Sequence, residues 1–370
     1  MRTGSARYIA VCTAVVGAVS LAACSSSASS GQKSGAAGTP ASSAATPATS
    51  ASSAASGPGA ASGSAAPAAD VKGKTVGVIE LYSNPFWSDA LAGIHKVADP
   101  LGVKVTAVNS NGNAATQSSN VTQLSSAQVN AAIIGPVAPA GALSDINRLK
   151  QAGATVYCLD SCAAAADAKA ATLGWVSTSG ASLGDGAGKA AADYIQQKLG
   201  GKATIAMVVC DSLGPVCSNR HDAITKQLQA VPGAKVVATQ DAFQTQDAEP
   251  KVADMLTAHP DVNVVITNNQ GGTEGAVAAI KRLHLGGKVV VFGIDMTNVI
   301  AQDLLDTPAV LLYTVAQNSY QEGVIAMQAL VDKWSGKNPV SDFPTLVPAV
   351  EYTRSDTAAI KAYMDSHKGQ

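Results

Sequence analysis

The stretch SNPFWSD, residues 83–89, places the amide of Asn84 just ahead of two aromatic rings, Phe86 and Trp87. The chain has four Phe and three Trp in 370 residues, so two of those seven rings standing together at the end of an apolar run need a reason. Other apolar runs end on related side chains. ATVYCL runs into Asp160-Ser161, VNVVIT into Asn268-Asn269-Gln270, KVVVFGI into Asp295, and AVLLYTV reaches Gln317-Asn318 one residue later. Asn and Gln each offer a donor and an acceptor, and a carboxylate accepts two strong hydrogen bonds. Ring faces cover the apolar C–H side of a polyol. Together these residues suit recognition of a small, neutral, polyhydroxylated ligand.

Chemistry of other kinds lacks its residues. There is no G-x-S-x-G, no P-loop, and no G-x-G-x-x-G after a strand. The five His residues show no paired spacing, which argues against a metal site and places each on a solvated helix face. GDGAG, residues 184–188, reads as a turn or helix start. A net charge of −1 with no basic run excludes nucleic acid as a partner, because phosphate binding needs clustered Lys and Arg. The expectation is a protein that is not an enzyme and uses no cofactor.

The elements that must position these residues form a βα alternation. Strand candidates are TVGVIEL (75–81), VKVTAV (103–108), AAIIG (131–135), ATVYCL (154–159), ATIAMVV (203–209), KVVAT (235–239), VNVVIT (262–267), KVVVFGI (288–294) and AVLLYTV (309–315). Several are apolar at nearly every position, as in parallel strands covered on both faces. Amphipathic stretches such as SYQEGVIAMQALVDKW lie between them, which implies βαβ units. Nine strands predict two α/β lobes rather than one sheet. In such sheets ligands sit at the carboxyl ends of the strands, where the polar residues above are found.

Residues 1–23 read as an export signal, with Arg2 and Arg7 ahead of an apolar run too short and alanine-rich for a membrane span. The run ends in Leu21-Ala22-Ala23-Cys24, which resembles the lipobox of bacterial lipoproteins. That resemblance implies an acylated Cys24 as the first mature residue and an extracytoplasmic, membrane-anchored protein; an ordinary signal peptide is the alternative. Residues 24–70 are almost wholly Ala, Ser, Gly, Pro and Thr, a composition that buries too little apolar surface to fold. As a coil such a tether spans roughly 35–40 Å.

Three blocks carry a wider resemblance: MLTAHPDVNVVITNN (255–269), VVVFGID (289–295) and TVAQNSYQEG (314–323). With these the chain, from about Lys74 to Pro348, resembles the type I periplasmic solute-binding proteins, closest to the ribose-binding group of sugar carriers. The resemblance implies two Rossmann-like lobes joined by a three-segment hinge, with a sugar between them. Lobe 1 would comprise 71–178 plus 318–345, and lobe 2 would comprise 179–317 plus 346–370. It assigns Asn84 and Asp160 to sugar hydroxyls and Phe86 and Trp87 to stacking. Arg220 would open a helix of the second lobe, Phe243 would cover the sugar from the far side, and Asn269, Asp295 and Gln317 would supply the remaining polar contacts. A sugar or polyol, an ABC permease and a lipid anchor are the implied partners of a monomer. A sensor of the same fold, signalling to a membrane receptor as for autoinducer-2, is the alternative. Departures are plain: Ser161 stands where relatives often have Arg, Ser218 replaces a second arginine, and STSGASLGDGAG (177–188) lacks an expected Asp-Asn. Fewer fixed charges suit a sugar alcohol or deoxy sugar equally well.

Four further cysteines remain, Cys158, Cys162, Cys210 and Cys217, each pair bracketing a strand-end loop. Outside the cytoplasm an even set is expected oxidised, as local bridges Cys158–Cys162 and Cys210–Cys217. Bridges between the two loops are the alternative. Each site residue also has a plainer use: Phe86 and Trp87 packing inward, Asp160 and Asp295 capping helices, Asn268 and Asn269 forming turns. The joint recurrence at strand ends favours a site.

Overall fold

Short Val- and Ile-rich runs become strands because both their faces are covered. In the computed structural model, which describes residues 71–338 and 342–368, every residue of Ala131–Ile134, Val264–Thr267 and Val290–Ile294 is buried. The expected export signal, Cys24 and the tether lie outside the described residues.

Among the described residues the strands are β1 (Thr75–Glu80), β2 (Lys104–Asn109), β3 (Ala131–Ile134), β4 (Thr155–Leu159), β5 (Gly174–Thr178), β6 (Lys202–Val209), β7 (Gly233–Asp241), β8 (Val264–Thr267), β9 (Val290–Ile294), β10 (Leu311–Ala316), β11 (Thr345–Val347) and β12 (Val350–Thr353). The helices are α1 (Pro85–Ala98), α2 (Ala114–Ser126), α3 (Pro139–Gln151), α4 (Ala165–Ala171), α5 (Gly180–Lys198), α6 (Pro215–Gln229), α7 (Thr245–Ala258), α8 (Gln270–Arg282), α9 (Asn298–Leu305), α10 (Ser319–Trp334) and α11 (Thr357–Ser366). All nine predicted strands are present within two residues at each end. The sequence reading missed β5, β11 and β12. GWVST and VEYT are half polar, and TLV is only three residues long.

The strands form two six-stranded sheets, in the orders β11-β5-β4-β3-β1-β2 and β12-β10-β9-β8-β6-β7. All pairings are parallel except β10 with β12. Each sheet follows a doubly wound order, so strand order reverses beside β1 in one and β6 in the other, and loops from the carboxyl ends open into a crevice there. The edge strands β2 and β7 are largely exposed and carry Lys104 and Lys235, which blunts pairing with another chain. The chain passes between the sheets after β5, after β10 and between β11 and β12.

Two helix pairs meet at backbone distance. A Cβ on Gly93 of α1 would lie 2.0 Å from the Tyr320 carbonyl oxygen, and one on Gly323 of α10 would lie 2.0 Å from the Ala90 carbonyl oxygen. GDGAG, expected to be a turn or helix start, lies within the first half of α5. Glycine is permitted there by packing: a Cβ on Gly184 would lie 2.2 Å from the Arg220 carbonyl oxygen. That contact seats α6 against α5 and so sets the position of Arg220.

Candidate functional site

The first lobe contributes a strand-end turn and the opening of α1. Asn84 is extended and caps α1, accepting from the Trp87 backbone N–H through Oδ1 at 3.2 Å, with Pro85 at the first helical position, where no N–H is needed. Trp87 is only 3% exposed, its ring lying against Gly135, where a Cβ would come within 2.3 Å of it. Phe86 is half-buried and meets Trp87 edge-on, with centroids 5.5 Å apart. Both rings line the crevice, yet Trp87 is chiefly a core residue in this state; the glycine beneath it made inward packing possible.

Asp160 follows β4 in the left-handed region, at φ 65°, a conformation that Asp tolerates better than most residues. Its carbonyl accepts from Trp175 Nε1 at 3.1 Å, and the Cys158–Cys162 disulfide brackets it. Asp295 follows β9 in the same way, at φ 75°, and its Oδ2 accepts from the Gln270 backbone N–H at 2.9 Å. Arg220, 5% exposed, donates through Nη1 to the Asn268 carbonyl at 3.0 Å and stands 3.5 Å from Asp295 Oδ2. Its Nε is buried without a partner. Gln317 joins these groups: with its amide turned to satisfy both neighbours, it donates to Asp160 Oδ1 at 2.8 Å and accepts from Arg220 Nη2 at 3.1 Å. A polar run Asp160–Gln317–Arg220–Asp295 therefore crosses from one lobe to the other through a hinge residue.

Burial pushes the Asp160 carboxyl up to about 6; Arg220 opposes this and Asp295 adds to it. Behind it, Glu322 of α10 is fully buried, accepting from Thr178 Oγ1 at 2.7 Å through Oε1, while Oε2 has no partner. Burial lifts this carboxyl to about 8, with Asp160 adding to the effect. Its surroundings therefore disfavour the charged form of Glu322. Thr178 also accepts from the Asn318 backbone N–H at 3.1 Å, so two of the three crossings are tied together.

Two contacts join the lobes at the rims. Tyr82, after β1, meets Phe243, after β7, with centroids 5.7 Å apart. His367, at the end of α11, holds Asp89 of α1 through Nε2 at 2.6 Å and stacks on Tyr363. The expectation that each His sits on a solvated face therefore fails for His367, which is largely buried between helices. Burial raises the Asp89 carboxyl, opposed by His367 and Ser319.

The crevice has a volume of about 1060 Å³. Asn84, Phe86, Trp87, Asp160, Arg220, Phe243, Asp295 and Gln317 all line it. Asn269 does not. It is 1% exposed and caps α8, accepting from the Gly272 N–H at 2.8 Å and donating to the Ala242 carbonyl at 3.0 Å. Its neighbour Gln270 reaches the crevice instead. Sequence reasoning also missed Tyr82, Trp175 and Glu322. Tyr82 had a signal, since it adjoins the Asn-Pro-Phe-Trp stretch in a chain poor in rings. The structure pairs Cys158 with Cys162 and Cys210 with Cys217, and both loops reach the crevice. Among the described residues no cluster of His, Cys, Asp or Glu could hold a metal, and no helix is long and apolar enough to cross a membrane.

Two α/β lobes around a crevice spanned by a polar run, with a triple crossing between them, define a binding protein of the periplasmic type. The chain belongs to the periplasmic binding protein family, whose domain model matches residues 77–338; its members carry solutes and are not enzymes. It is 30% identical over 236 residues to the ABC transporter periplasmic-binding protein YphF of Escherichia coli, covering 63% of this chain and 72% of that one. It is also 30% identical over 223 residues to the ribose import binding protein RbsB of Escherichia coli, covering 60% and 71%. A solute-binding protein of Bacillus halodurans with bound myo-inositol superposes with a TM-score of 0.68 at 18% identity, over 80% of this chain and 99% of that one.

Proposed function

We propose that this protein captures a small neutral polyhydroxylated ligand, a sugar or sugar alcohol, outside the cytoplasm and delivers it to an ABC importer. The observation that carries the proposal is the run Asp160–Gln317–Arg220–Asp295, which crosses the crevice beside Phe86. Hydroxyls can donate to the two carboxylates and accept from Arg220, and a ring C–H face can lie on Phe86. The relatives point the same way, one named for ribose import and one structural neighbour holding myo-inositol.

The mechanism is closure about the hinge. Ligand settles on one lobe, and contacts from the other favour the closed form. Buried Glu322 and Thr178 hold two crossings together while the lobes turn. The lobes take the spans 71–178 plus 318–345 and 179–317 plus 346–370. The closed monomer, tethered by an acylated Cys24, presents its ligand to the permease.

A thermal-shift screen of pentoses, hexoses and polyols tests this. A ligand at about a hundred times its dissociation constant adds roughly 2.7 kcal/mol, a clear rise in melting temperature. A screen in which no sugar or polyol moves the melting temperature refutes the proposal.

A further inference from the structure

The crevice is wide, and apolar atoms make up most of its lining. Its volume of about 1060 Å³ stands at the top of the roughly 300–1,000 Å³ that accommodates drug-sized ligands. Its polar lining includes the run Asp160, Gln317, Arg220 and Asp295, and also Asp89, Glu351 and His367. The two cross-linked loops and their surroundings also line it, presenting Pro136, Val137 and Ala164 from the first lobe and Leu213, Pro215 and Val216 from the second. Leu213 lines the crevice while 50% exposed, and Pro215 and Ala164 are exposed as well.

Several polar side chains of these same loops are tied to other partners. Asp211 is held by His221 at 2.6 Å, and Ser212 Oγ donates to Asp241 Oδ1 at 2.6 Å. On the facing lip, Ser161 is buried and its Oγ donates to the Pro136 carbonyl at 3.4 Å. Asp160, bonded to Gln317, is the charged side chain of this loop, and past it the lip continues in Ala163 and Ala164. An exposed leucine on a wall that met only polyols would gain nothing from its ligand, whereas burying it against an apolar group is favourable. The disulfides at Cys158–Cys162 and Cys210–Cys217 bracket both lips, so neither must be ordered when a ligand arrives.

Building on the functional reading above, we propose that the lips form a second, apolar compartment and that the ligand is a glycoside: a sugar head at the Asp160–Gln317–Arg220–Asp295 run with an apolar aglycone between Leu213 and Ala164.

Isothermal titration of the protein with free D-ribose, D-glucose and D-galactose, and with the methyl and phenyl glycosides of each, tests the proposal. The expected result is a phenyl glycoside that binds about tenfold or more tightly than the methyl glycoside of the same sugar. In Leu213→Ser that preference should shrink several-fold while the affinity for the free sugar is unchanged. Leu213 is exposed, so the variant keeps its fold, and an unshifted melting temperature without ligand verifies this. Phenyl glycosides that bind no better than methyl ones, while free sugars bind, overturn the second compartment and leave the sugar site standing. Failure of every sugar and glycoside to bind overturns the functional reading and the compartment together.

Discussion

Replacing Asp160 with Asn should make the ligand-free protein more stable at neutral pH while weakening its hold on ligand. The carboxyl is carried from its ordinary 3.8 to about 6, chiefly by burial. A raised folded-state pKa means that the native protein holds this proton more tightly than the unfolded chain. The stability this confers is complete below about pH 4 and is lost as pH rises through about 6. At about 1.4 kcal/mol per tenfold change in proton concentration, the charged carboxylate costs on the order of 3 kcal/mol above pH 7. Asn is nearly isosteric, tolerates the left-handed backbone at this position, and can still accept from Gln317. Arg220 is not stranded, because Asp295 remains 3.5 Å away. Removing the charge also relieves Glu322, whose carboxyl Asp160 pushes upward.

Thermal unfolding of the two ligand-free proteins between pH 4 and pH 8 is the assay. The variant should melt about 5 °C or more above the parent at pH 7.5, and the gap should close toward pH 4. Affinity for the sugar or polyol found in the screen should fall, since a charged acceptor contributes about 1.5–3 kcal/mol. A variant that melts at or below the parent at pH 7.5, or a gap that does not vary with pH, would show that burial does not set this carboxyl.

Gly323→Ala places a methyl 2.0 Å from the Ala90 carbonyl oxygen, a backbone atom that no rotamer change can move. Stability should drop by about 3 kcal/mol or more in chemical denaturation; a variant within experimental error of the parent would mean that α1 and α10 part easily. His367→Gln and Asp89→Asn each loosen the 2.6 Å contact between α11 and α1. Either should speed ligand release several-fold in stopped-flow tryptophan fluorescence, and the double variant should add little to either single one. Additive effects would indicate that the two residues act separately.

Much of the fold was legible because parallel strands covered on both faces announce themselves as local apolar runs. The missed strands β5, β11 and β12 are the short or half-polar ones, and β12 pairs antiparallel at the end of its sheet. At the site, alternation and turn position indicated which residues stand at strand ends, but not where each side chain points. Asn269 and Gln270 show the difference: adjacent residues after β8, one folded back to cap α8 and the other in the crevice. Trp87 turned inward because Gly135, 48 positions away, leaves room for its ring.

What the sequence alone determined is local: the βα alternation, the cysteine pairs only 4 and 7 residues apart, and polar residues at the carboxyl ends of strands. Tertiary structure decided which of those ends share one space. Asp160, Arg220, Asp295 and Gln317 come from four separate stretches, and only the strand order of two sheets and the backbone contact of α6 with α5 bring them within hydrogen-bonding distance. The same assembly took His367 from an expected solvated face and set it on Asp89. Burial, and with it the lifted carboxyls of Asp160 and Glu322, depends on everything packed around a group, and periodicity along one segment carries no record of that.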